Sequence, residues 1–399
     1  MPIRPRVALL VESSRAYGRG LLHGIAEYIR LHGPWSIYLA ERGLGDAPPS
    51  WLQGWEGDGI IARIENRKIA HAIGELGLPT IDLRGLLSDL QVPLFTTDDV
   101  AVSRLAVEHF LERGFRNFAF CGFASADYSD NRSRAFAALV EEAGFVCHVY
   151  QPSGKRRPVG TMALERGGLA TEAEVAQWVE ALPKPVGLMA CNDIRGQQVL
   201  NACRDVEIAV PEDVAVLGVD NDDVLCDLSY PTLSSVVPDT RRTGFEAAAL
   251  LERMIAGEPP PQKTTLIPPL GVVTRRSTDV LAIEDRHLAR AVRFIRENAC
   301  EGITVEDVLA DIPLSRSVFE RRFARLFGHS PKAEILRARL DRIKRLLAET
   351  ELPLKQIAAK IGFEHPEYLN VVFKEQTGQT PGQYRAAFRP PKPSRTGLP

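Results

Sequence analysis

The apolar positions of this chain follow two different patterns. Up to about residue 275, short continuous apolar runs alternate with amphipathic stretches: RVALLVE at 6–12, for example, leads into the helically spaced SSRAYGRGLLHGIAEYI. Such runs are typical of strands buried on both faces. The alternation recurs at GDGIIAR, NFAFCGF, PVGLMACND and DVAVLGVD. It predicts an α/β fold with doubly wound parallel sheets.

The C-terminal part is helical and repeats one plan. The segment 303–331 and the segment 353–385 each read as a short amphipathic helix, a turn and a second helix. Phe319, Phe323 and Phe327 form a stripe at i, i+4 and i+8, and glycines stand where the helices should end. A long amphipathic helix over 331–349 should join the two units. The pattern predicts an all-α domain with two helix-turn-helix units.

Charge is divided between the two parts. Residues 285–389 hold 19 Lys/Arg and 14 Asp/Glu, whereas residues 1–284 hold 28 and 37. This split favours a basic module that contacts phosphate, attached to an acidic module that does not.

The motifs IAAKIGF, FK and GQTPGQYR resemble the DNA-binding domain of the AraC/XylS family of transcription regulators. The alternative is two helical hairpins in another all-α regulatory domain. The resemblance implies that the second helix of each unit enters the major groove, with its outward residues at base edges. The candidate residues are Arg316, Ser317, Glu320 and Arg321 in the first unit, His365, Glu367, Asn370 and Val371 in the second, and Lys374 for phosphate. Val371 stands where the family often carries Arg. Val can touch a thymine methyl but cannot read guanine, so the second unit should contribute less to specificity.

Polar residues follow the predicted strands, at the edge where ligands of open α/β sheets bind. The candidate ligand-binding residues are Ser13, Tyr17, Asp98, Arg132, Asn192, Asp220 and Asn221. Carboxylates, amides, a guanidinium and an aromatic ring are the mixture that holds a neutral polyol. The alternative for each is a helix N-cap or a turn, which we favour for Asp193, Asp222 and Asp223.

The order GLMACND, PEDVAVLGVDN, PTLSSV and GFEAAALL resembles the effector-binding core of the LacI/GalR family, which shares the two-lobed fold of periplasmic sugar-binding proteins. The resemblance implies that Arg132, four residues before Phe136, reaches the ligand together with Asn192 and Asp220. LacI-type proteins carry their DNA-binding unit ahead of this core, whereas here it should follow the core.

In domain order and in the connector RRSTD the whole chain resembles the xylose operon activators. This resemblance implies a sugar effector, D-xylose or a similar pentose, and a homodimer on double-stranded DNA, with RNA polymerase as a further candidate partner. We expect a sensor domain over 1–275, with lobes of about 1–115 plus 237–262 and 116–236 plus 263–275. A linker over 276–286, a DNA-binding domain over 287–389 and a disordered tail over 390–399 should follow.

Other chemistries have no support in the sequence. The six Cys show neither CxxC nor metal-ligand spacing, and DNDD at 220–223 lacks the Gly and the distal Glu of a calcium loop. GRG near Gly18 is no phosphate-binding fingerprint. We therefore expect no metal and no cofactor. We also expect no secretory leader and no membrane span, and hence a cytoplasmic protein.

Three functional classes remain. A sugar-gated transcription regulator explains both halves of the chain. The alternatives are a cytoplasmic sugar-binding protein or a sugar-acting enzyme, each with a helical interaction domain. An enzyme would need an acid/base pair, for which Asp98 and Asp220 are the available carboxylates, and no second signature supports one.

Overall fold

The computed structural model describes residues 4–87, 89–152, 161–261, 264–279, 285–310, 312–350, 352–363 and 366–387. The chain divides into two units, Met1–Ala282 and Ile283–Pro399. The first is an α/β structure and the second is all-α, which confirms the predicted fold class.

The first unit alternates strands and helices. Its strands are β1 (Arg6–Leu10), β2 (Ser36–Leu39), β3 (Gly59–Ala62), β4 (Thr80–Asp82), β5 (Leu94–Thr97), β6 (Asn117–Cys121), β7 (Cys147–Val149), β8 (Val186–Ala190), β9 (Val214–Val219), β10 (Ser234–Val237), β11 (Thr264–Ile267) and β12 (Gly271–Val273). Its α-helices are α1 (Ala16–His32), α2 (Arg67–Gly74), α3 (Asp99–Glu112), α4 (Asp127–Glu142), α5 (Thr161–Gly167), α6 (Glu172–Ala181), α7 (Asp193–Asp205), α8 (Asp223–Leu228) and α9 (Thr240–Ile255).

These strands form two sheets, one in each lobe. The first lobe has the order β11-β5-β4-β3-β1-β2 and is parallel throughout. The second has the order β12-β10-β9-β8-β6-β7 and is parallel except for β12, which pairs antiparallel with β10. Parallel sheets place the carboxyl ends of their strands at one edge, so the loops that follow them gather there.

Strand β1 shows why the continuous apolar runs become central strands. Val7 and Leu9 pack among the side chains of α1 and α9, whereas Ala8 and Leu10 pack on the opposite face with Ile60. Burial on both faces demands apolar residues at every position. The helices α1 and α9 approach closely because Gly24 lies against α9, where a Cβ would stand 1.9 Å from the Arg241 carbonyl oxygen.

The lobe boundaries differ from the prediction at two places. Helix α3, predicted within the first lobe, packs Val102, Ala106 and Phe110 into the core of the second lobe. Strand β11, predicted within the second lobe, pairs with β5 in the first sheet. The chain therefore crosses between the lobes directly after β5, β10 and β11. These crossings are hydrogen-bonded to one another, from Asp98 N to Ile267 O at 2.9 Å and from Leu270 N to Val237 O at 2.8 Å.

The predicted linker begins too early. Ser277 and Thr278 are fully buried in the second lobe. The Ser277 hydroxyl donates to the Val216 carbonyl at 2.6 Å and accepts from the Ser234 N–H at 2.8 Å. The connector is thus part of the second lobe as far as Thr278, because its polar side chains complete hydrogen bonds of β9 and β10. The predicted disordered tail, 390–399, lies outside the described residues.

The second unit carries the two predicted helix-turn-helix units. Its α-helices are α10 (Arg286–Asn298), α11 (Val305–Leu309), α12 (Arg316–Phe327), α13 (Pro331–Glu349), α14 (Leu354–Lys360), α15 (Pro366–Thr377) and α16 (Pro381–Ala387). Thr304 and Asp307 form a capping box at the start of α11. Phe319 and Phe323 fill one core, Leu369 and Phe373 fill another, and α13 contributes side chains to both.

Candidate functional site

A cavity of about 620 Å³ lies between the two lobes, where the carboxyl ends of the strands meet. Tyr17, Asp98, Arg132, Asn192 and Asp220, all predicted ligand-binding residues, line it. Asp98, Asn192 and Asp220 lie within two residues of a strand end. Tyr17 and Arg132 lie in the first turn of α1 and the second turn of α4. The apolar runs in the sequence therefore located the cavity, because they fixed where each strand ends.

Two of the predicted ligand-binding residues do not line the cavity. The backbone N–H of Ser13 donates to the Arg42 carbonyl at 3.1 Å, and its own carbonyl accepts from Arg19. The side-chain oxygen of Asn221 accepts from Arg275 Nη1 at 2.9 Å, which ties it to the connector. Both residues shape the loops that bear cavity residues.

Four of the arginines that line the cavity are paired with carboxylates. Arg132, only 4% exposed, donates to Asp99 Oδ1 at 2.8 Å and to the Cys191 carbonyl at 2.6 Å. Arg63 pairs with Glu12 in the first lobe. These guanidinium groups are therefore fixed in direction, since a buried ion pair with additional hydrogen bonds holds its geometry.

Two further pairs join the lobes across the cavity. Arg84, after β4 in the first lobe, binds both carboxylate oxygens of Asp127 on α4 of the second lobe, at 2.6 and 2.5 Å. Arg15, at the start of α1, pairs with Glu165 on α5. Both pairs would separate if the lobes moved apart, so they stabilise the closed arrangement.

The Asp220 carboxylate has unused acceptor capacity. Within the described part of the chain no hydrogen bond to its side chain is found, although it lies among Arg15, Arg63, Arg132 and Glu165. Burial raises the pKa of Asp220 to about 6, and Glu165 adds to the rise, while the three arginines oppose it. Its backbone has a φ of 107°, a strained value that occurs at functional sites. This carboxylate can accept hydrogen bonds from two hydroxyl groups of a ligand.

Asp98 and Asn192 serve as helix caps and as cavity residues at once. Asp98 Oδ1 accepts from the N–H groups of Val100 and Ala101 at 3.0 Å. Asn192 Oδ1 accepts from Arg195 N at 3.0 Å, while its Nδ2 donates to Glu165 Oε1 at 3.0 Å. Asn192 thus orients Glu165, and both Asp98 and Asn192 combine a helix N-cap with a place in the cavity lining.

Asp193 has a structural role, as the sequence favoured. Its carboxylate accepts from the Ser235 hydroxyl at 2.6 Å and from the Asp222 N–H at 2.8 Å. Burial raises the pKa of Asp193 well above its usual range, and the neighbouring Asp220 adds to the rise. Asp193 therefore fixes the loop after β9, which carries Asp220. Asp222 caps α8 through Leu225 N.

Two aromatic rings border the cavity. The Arg63 guanidinium lies 5.0 Å from the centre of the Tyr17 ring, and the Tyr17 hydroxyl lies 2.9 Å from Thr97 Oγ1. The Tyr128 hydroxyl donates to Glu165 Oε1 at 3.0 Å. Rings held in this way offer apolar faces to the C–H surface of a ligand.

Several cavity residues were not predicted. They are Glu12, Arg63, Arg84, Tyr128 and Glu165. Arg63 and Arg84 stand at the ends of the runs GIIAR and IDLR, so the signal that identified Asp220 was present for them too. Glu165 follows no strand and carries no such signal, because α5 brings it to the cavity from within the second lobe.

The second helix of the first helix-turn-helix unit presents polar residues. Arg321 and Ser317 are exposed, and Arg321 forms no ion pair with any described residue. Arg316 is also exposed, but it pairs with Glu306 on α11 and, at 2.9 Å, with Glu320. The Arg321 side chain is therefore free to contact a base edge without rearrangement among the described residues. Arg316 and Glu320 would first have to break their ion pair with each other.

The second helix of the other unit presents a different surface. Glu367, Asn370, Val371 and Lys374 are all exposed on α15, opposite its buried side chains. His365, predicted with them, lies outside the described residues. Over the part of the chain that the structure describes, no helix has the length and apolar character needed to cross a membrane.

Three family models match successive parts of the chain. The model of the XylR N-terminal domain matches residues 6–97, and that of a periplasmic binding protein-like domain matches residues 107–278. A helix-turn-helix domain model matches residues 309–387. These matches follow the order of the two lobes and the helical unit.

Curated relatives match the chain from end to end. The Xylose operon regulatory protein of Escherichia coli (strain K12) is 32% identical over 392 residues, which are 96% of this chain and 97% of that protein. The protein of the same name from Haemophilus influenzae (strain ATCC 51907 / DSM 11121 / KW20 / Rd) is 30% identical over 388 residues, covering 95% of this chain and 98% of that protein.

Solved structures agree with the fold. The structure of the xylose-binding transcription activator xylR covers 97% of this chain and 99% of its own, with a TM-score of 0.79 and 31% identity. A LacI family transcriptional regulator from Mycobacterium smegmatis covers 70% of this chain, with a TM-score of 0.55 and 18% identity. The second likeness concerns the fold of the two lobes alone.

Proposed function

We propose, for a chain that belongs to the family of xylose operon regulatory proteins, that D-xylose binds in the cavity between its lobes and thereby promotes DNA binding. The chain is a sugar-responsive helix-turn-helix transcription regulator. The observation that carries the proposal is the Asp220 carboxylate, which accepts no hydrogen bond from any residue that the structure describes. It lies in a cavity where four of the lining arginines are already paired with carboxylates.

The charges of the cavity favour a neutral polyol. Arg15, Arg63, Arg84 and Arg132 each have a carboxylate partner, so a phosphate or carboxylate ligand would have to compete for them. The hydroxyl groups of a sugar can instead donate to Asp220 and accept from the outward N–H groups of the arginines. Tyr17 and Tyr128 then cover the C–H surface of the ring.

Sugar binding should act through the closure of the lobes. A ligand shifts a conformational equilibrium only by its differential affinity for the two states. A sugar held by Tyr17 in the first lobe and by Asp220 in the second binds fully only when the lobes are closed. The connector is hydrogen-bonded within the second lobe as far as Thr278. The linker to the DNA-binding unit therefore moves with that lobe.

We infer an activator that works as a homodimer in the cytoplasm, where its DNA lies, and contacts RNA polymerase. Four second helices in a dimer would occupy successive major grooves of a repeated site. An enzyme acting on the sugar is less well supported, because Asp98 Oδ1 caps α3 and that carboxylate is therefore poorly placed to exchange protons. Incubation of the purified chain with pentoses should yield no product.

Calorimetry of the full chain with a panel of monosaccharides tests the proposal. We expect D-xylose to bind most tightly among D-xylose, L-arabinose, D-ribose and D-glucose. Replacement of Asp220 by Ala should remove that binding with little change in thermal stability, because the sugar hydroxyls lose their acceptor at about 1–3 kcal/mol each. Failure of every pentose to bind would refute the assignment.

A further inference from the structure

The exposed face of α15 carries two large apolar side chains. Tyr368 is 63% exposed and Val371 is 53% exposed, whereas Leu369, Val372 and Phe373 are buried on the opposite face. Residues three apart lie side by side on a helix, so Tyr368 and Val371 form one patch. The Tyr368 ring borders the core residue Phe363, but both Tyr368 and Val371 leave more than half of their surface exposed.

The patch lies on the part of α15 that would face the bases if this helix entered the major groove. Val371 lies at the middle of the exposed face, between Glu367 and Lys374 one turn away on either side. Tyr368 lies in the first turn of the helix, and its ring centre is 5.9 Å from that of Phe363 in the preceding turn. The N-terminal half of the second helix is the part that meets base edges.

The two helix-turn-helix units differ in chemistry at this surface. The corresponding helix α12 offers the guanidinium of Arg321, which forms no ion pair with a described residue and suits guanine O6 and N7. Helix α15 offers an aromatic ring and an isopropyl group, with Asn370 beside them. The thymine C5-methyl is the apolar group that a base pair presents in the major groove, and an Asn amide matches adenine N6 and N7.

We propose that Tyr368 and Val371 read thymine methyl groups in the major groove, which gives the second unit a preference for A·T pairs. The inference rests on α15 entering the groove, as proposed for both units. DNA is favoured over a protein as the occupant because Lys374 and Asn370 share the face and the domain is basic, with 19 Lys/Arg and 14 Asp/Glu over 285–389. A stable protein interface needs about 800 Å² per partner, far more than two side chains provide.

Thymine-to-uracil replacement tests the proposal, since it removes only the methyl group. The full chain with D-xylose first selects its site from random DNA, and that site is then made with dU for dT in the part that the second unit covers. We expect affinity to fall about fourfold for each methyl group removed, which corresponds to ~0.8 kcal/mol of apolar burial. The same replacement under the first unit should have no such effect.

The variants Tyr368→Ala and Val371→Ala should bind the thymine site more weakly and lose the sensitivity to uracil. Lys374→Ala is the matched control on the same helix. It should weaken binding to the thymine and the uracil forms of the site alike, so the difference in affinity between the two forms should remain. Thermal melting establishes that each variant is folded, and both apolar residues are largely exposed, so truncation should be tolerated. Wild-type protein that selects a site but binds its uracil form equally well would overturn this inference alone. Absence of any sequence-selective binding would overturn the proposed function as well.

Discussion

His109 Nε2 lies 2.8 Å from the hydroxyl oxygen of Thr278, although the two residues are 169 positions apart in the chain. His109 is on α3, the helix that begins beside the cavity at Asp99, and Thr278 is the last buried residue of the connector. The Thr278 hydroxyl also donates to Ser234 Oγ at 2.7 Å. Burial, with a smaller effect of Arg113, lowers the pKa of His109 to about 3, so its ring is neutral. Because the Thr278 hydroxyl hydrogen goes to Ser234, the N–H at His109 Nε2 donates to the Thr278 oxygen. One helix thus runs from the cavity to the start of the linker.

This contact predicts that Thr278→Val uncouples the two units. The substitution keeps the shape of the side chain but leaves His109 Nε2 without its Thr278 partner, at a cost of about 1–3 kcal/mol in the free energy of unfolding. Ser234 loses one hydrogen bond and keeps those with the backbone of Arg275. Sugar affinity should stay within about twofold of wild type, because Thr278 does not touch the cavity, while the stimulation of DNA binding by sugar should be lost. Thr274→Val, at the exposed edge of the same network, is the control. Full stimulation in Thr278→Val would show that this contact does not carry the coupling.

Asp220 predicts a pH dependence of sugar binding. Its pKa is raised to about 6, chiefly by burial, and the ionised carboxylate is the form that accepts hydroxyl groups. Protonation on lowering the pH removes that acceptor, so affinity should be constant above pH 7 and fall about tenfold per pH unit below pH 5. Calorimetry across this range measures it. Asp220→Asn should bind weakly and show no such fall, and a wild-type profile that stayed flat to pH 4 would exclude an ionised Asp220 as the acceptor.

The pair between Arg84 and Asp127 predicts a role for lobe closure. Arg84→Ala removes a bidentate ion pair between the lobes and leaves the Asp127 carboxylate without this partner. Because Asp127 is about one third exposed, the loss should be moderate, about 1–2 kcal/mol, or roughly 5- to 30-fold in sugar affinity. Arg134→Ala, at the rim of the same cavity, should change affinity by less than about twofold. Equal effects of the two variants would indicate a general charge effect rather than closure.

Replacement of Arg321 and of Lys374 by Ala should have different effects on DNA binding. Arg321→Ala should relax base preference at one position in each repeat, at a cost of about 1–3 kcal/mol. Lys374→Ala, if it loses a phosphate contact, should weaken all sequences alike and reduce the salt dependence by about one unit. Selection from random DNA separates them. If Arg321→Ala selected the same motif as the wild type, Arg321 would contact the DNA phosphate backbone rather than a base edge.

The sequence located those parts of the cavity that follow strands. Asp220 was identified because the apolar run of β9 ends directly before it, and Arg132 because the resemblance to the LacI/GalR family implies a ligand contact at that position. Glu165 could not be identified, since α5 is short and reaches the cavity only through tertiary packing. Its place is fixed by contacts from Asn192 and Arg15, which are distant in sequence.

The division into lobes was less predictable than the strands themselves. Helix α3 follows β5 of the first lobe but packs in the second, and β11 returns to the first sheet. Local patterns do not show which sheet an element joins, because either sheet offers the same kind of apolar surface. The buried connector was missed for a related reason: Ser277 and Thr278 are polar and resemble a linker until their partners on β9 and β10 are seen.

The most direct test is the effect of D-xylose on the affinity of the full chain for its selected DNA site, measured by fluorescence anisotropy. We expect sugar to tighten DNA binding by about tenfold, and DNA to tighten sugar binding by the same factor, because coupling free energies are reciprocal. In Asp220→Ala, DNA affinity should equal that of the sugar-free wild type and should not respond to D-xylose. Tight D-xylose binding that leaves the DNA affinity of the wild type unchanged would contradict the account.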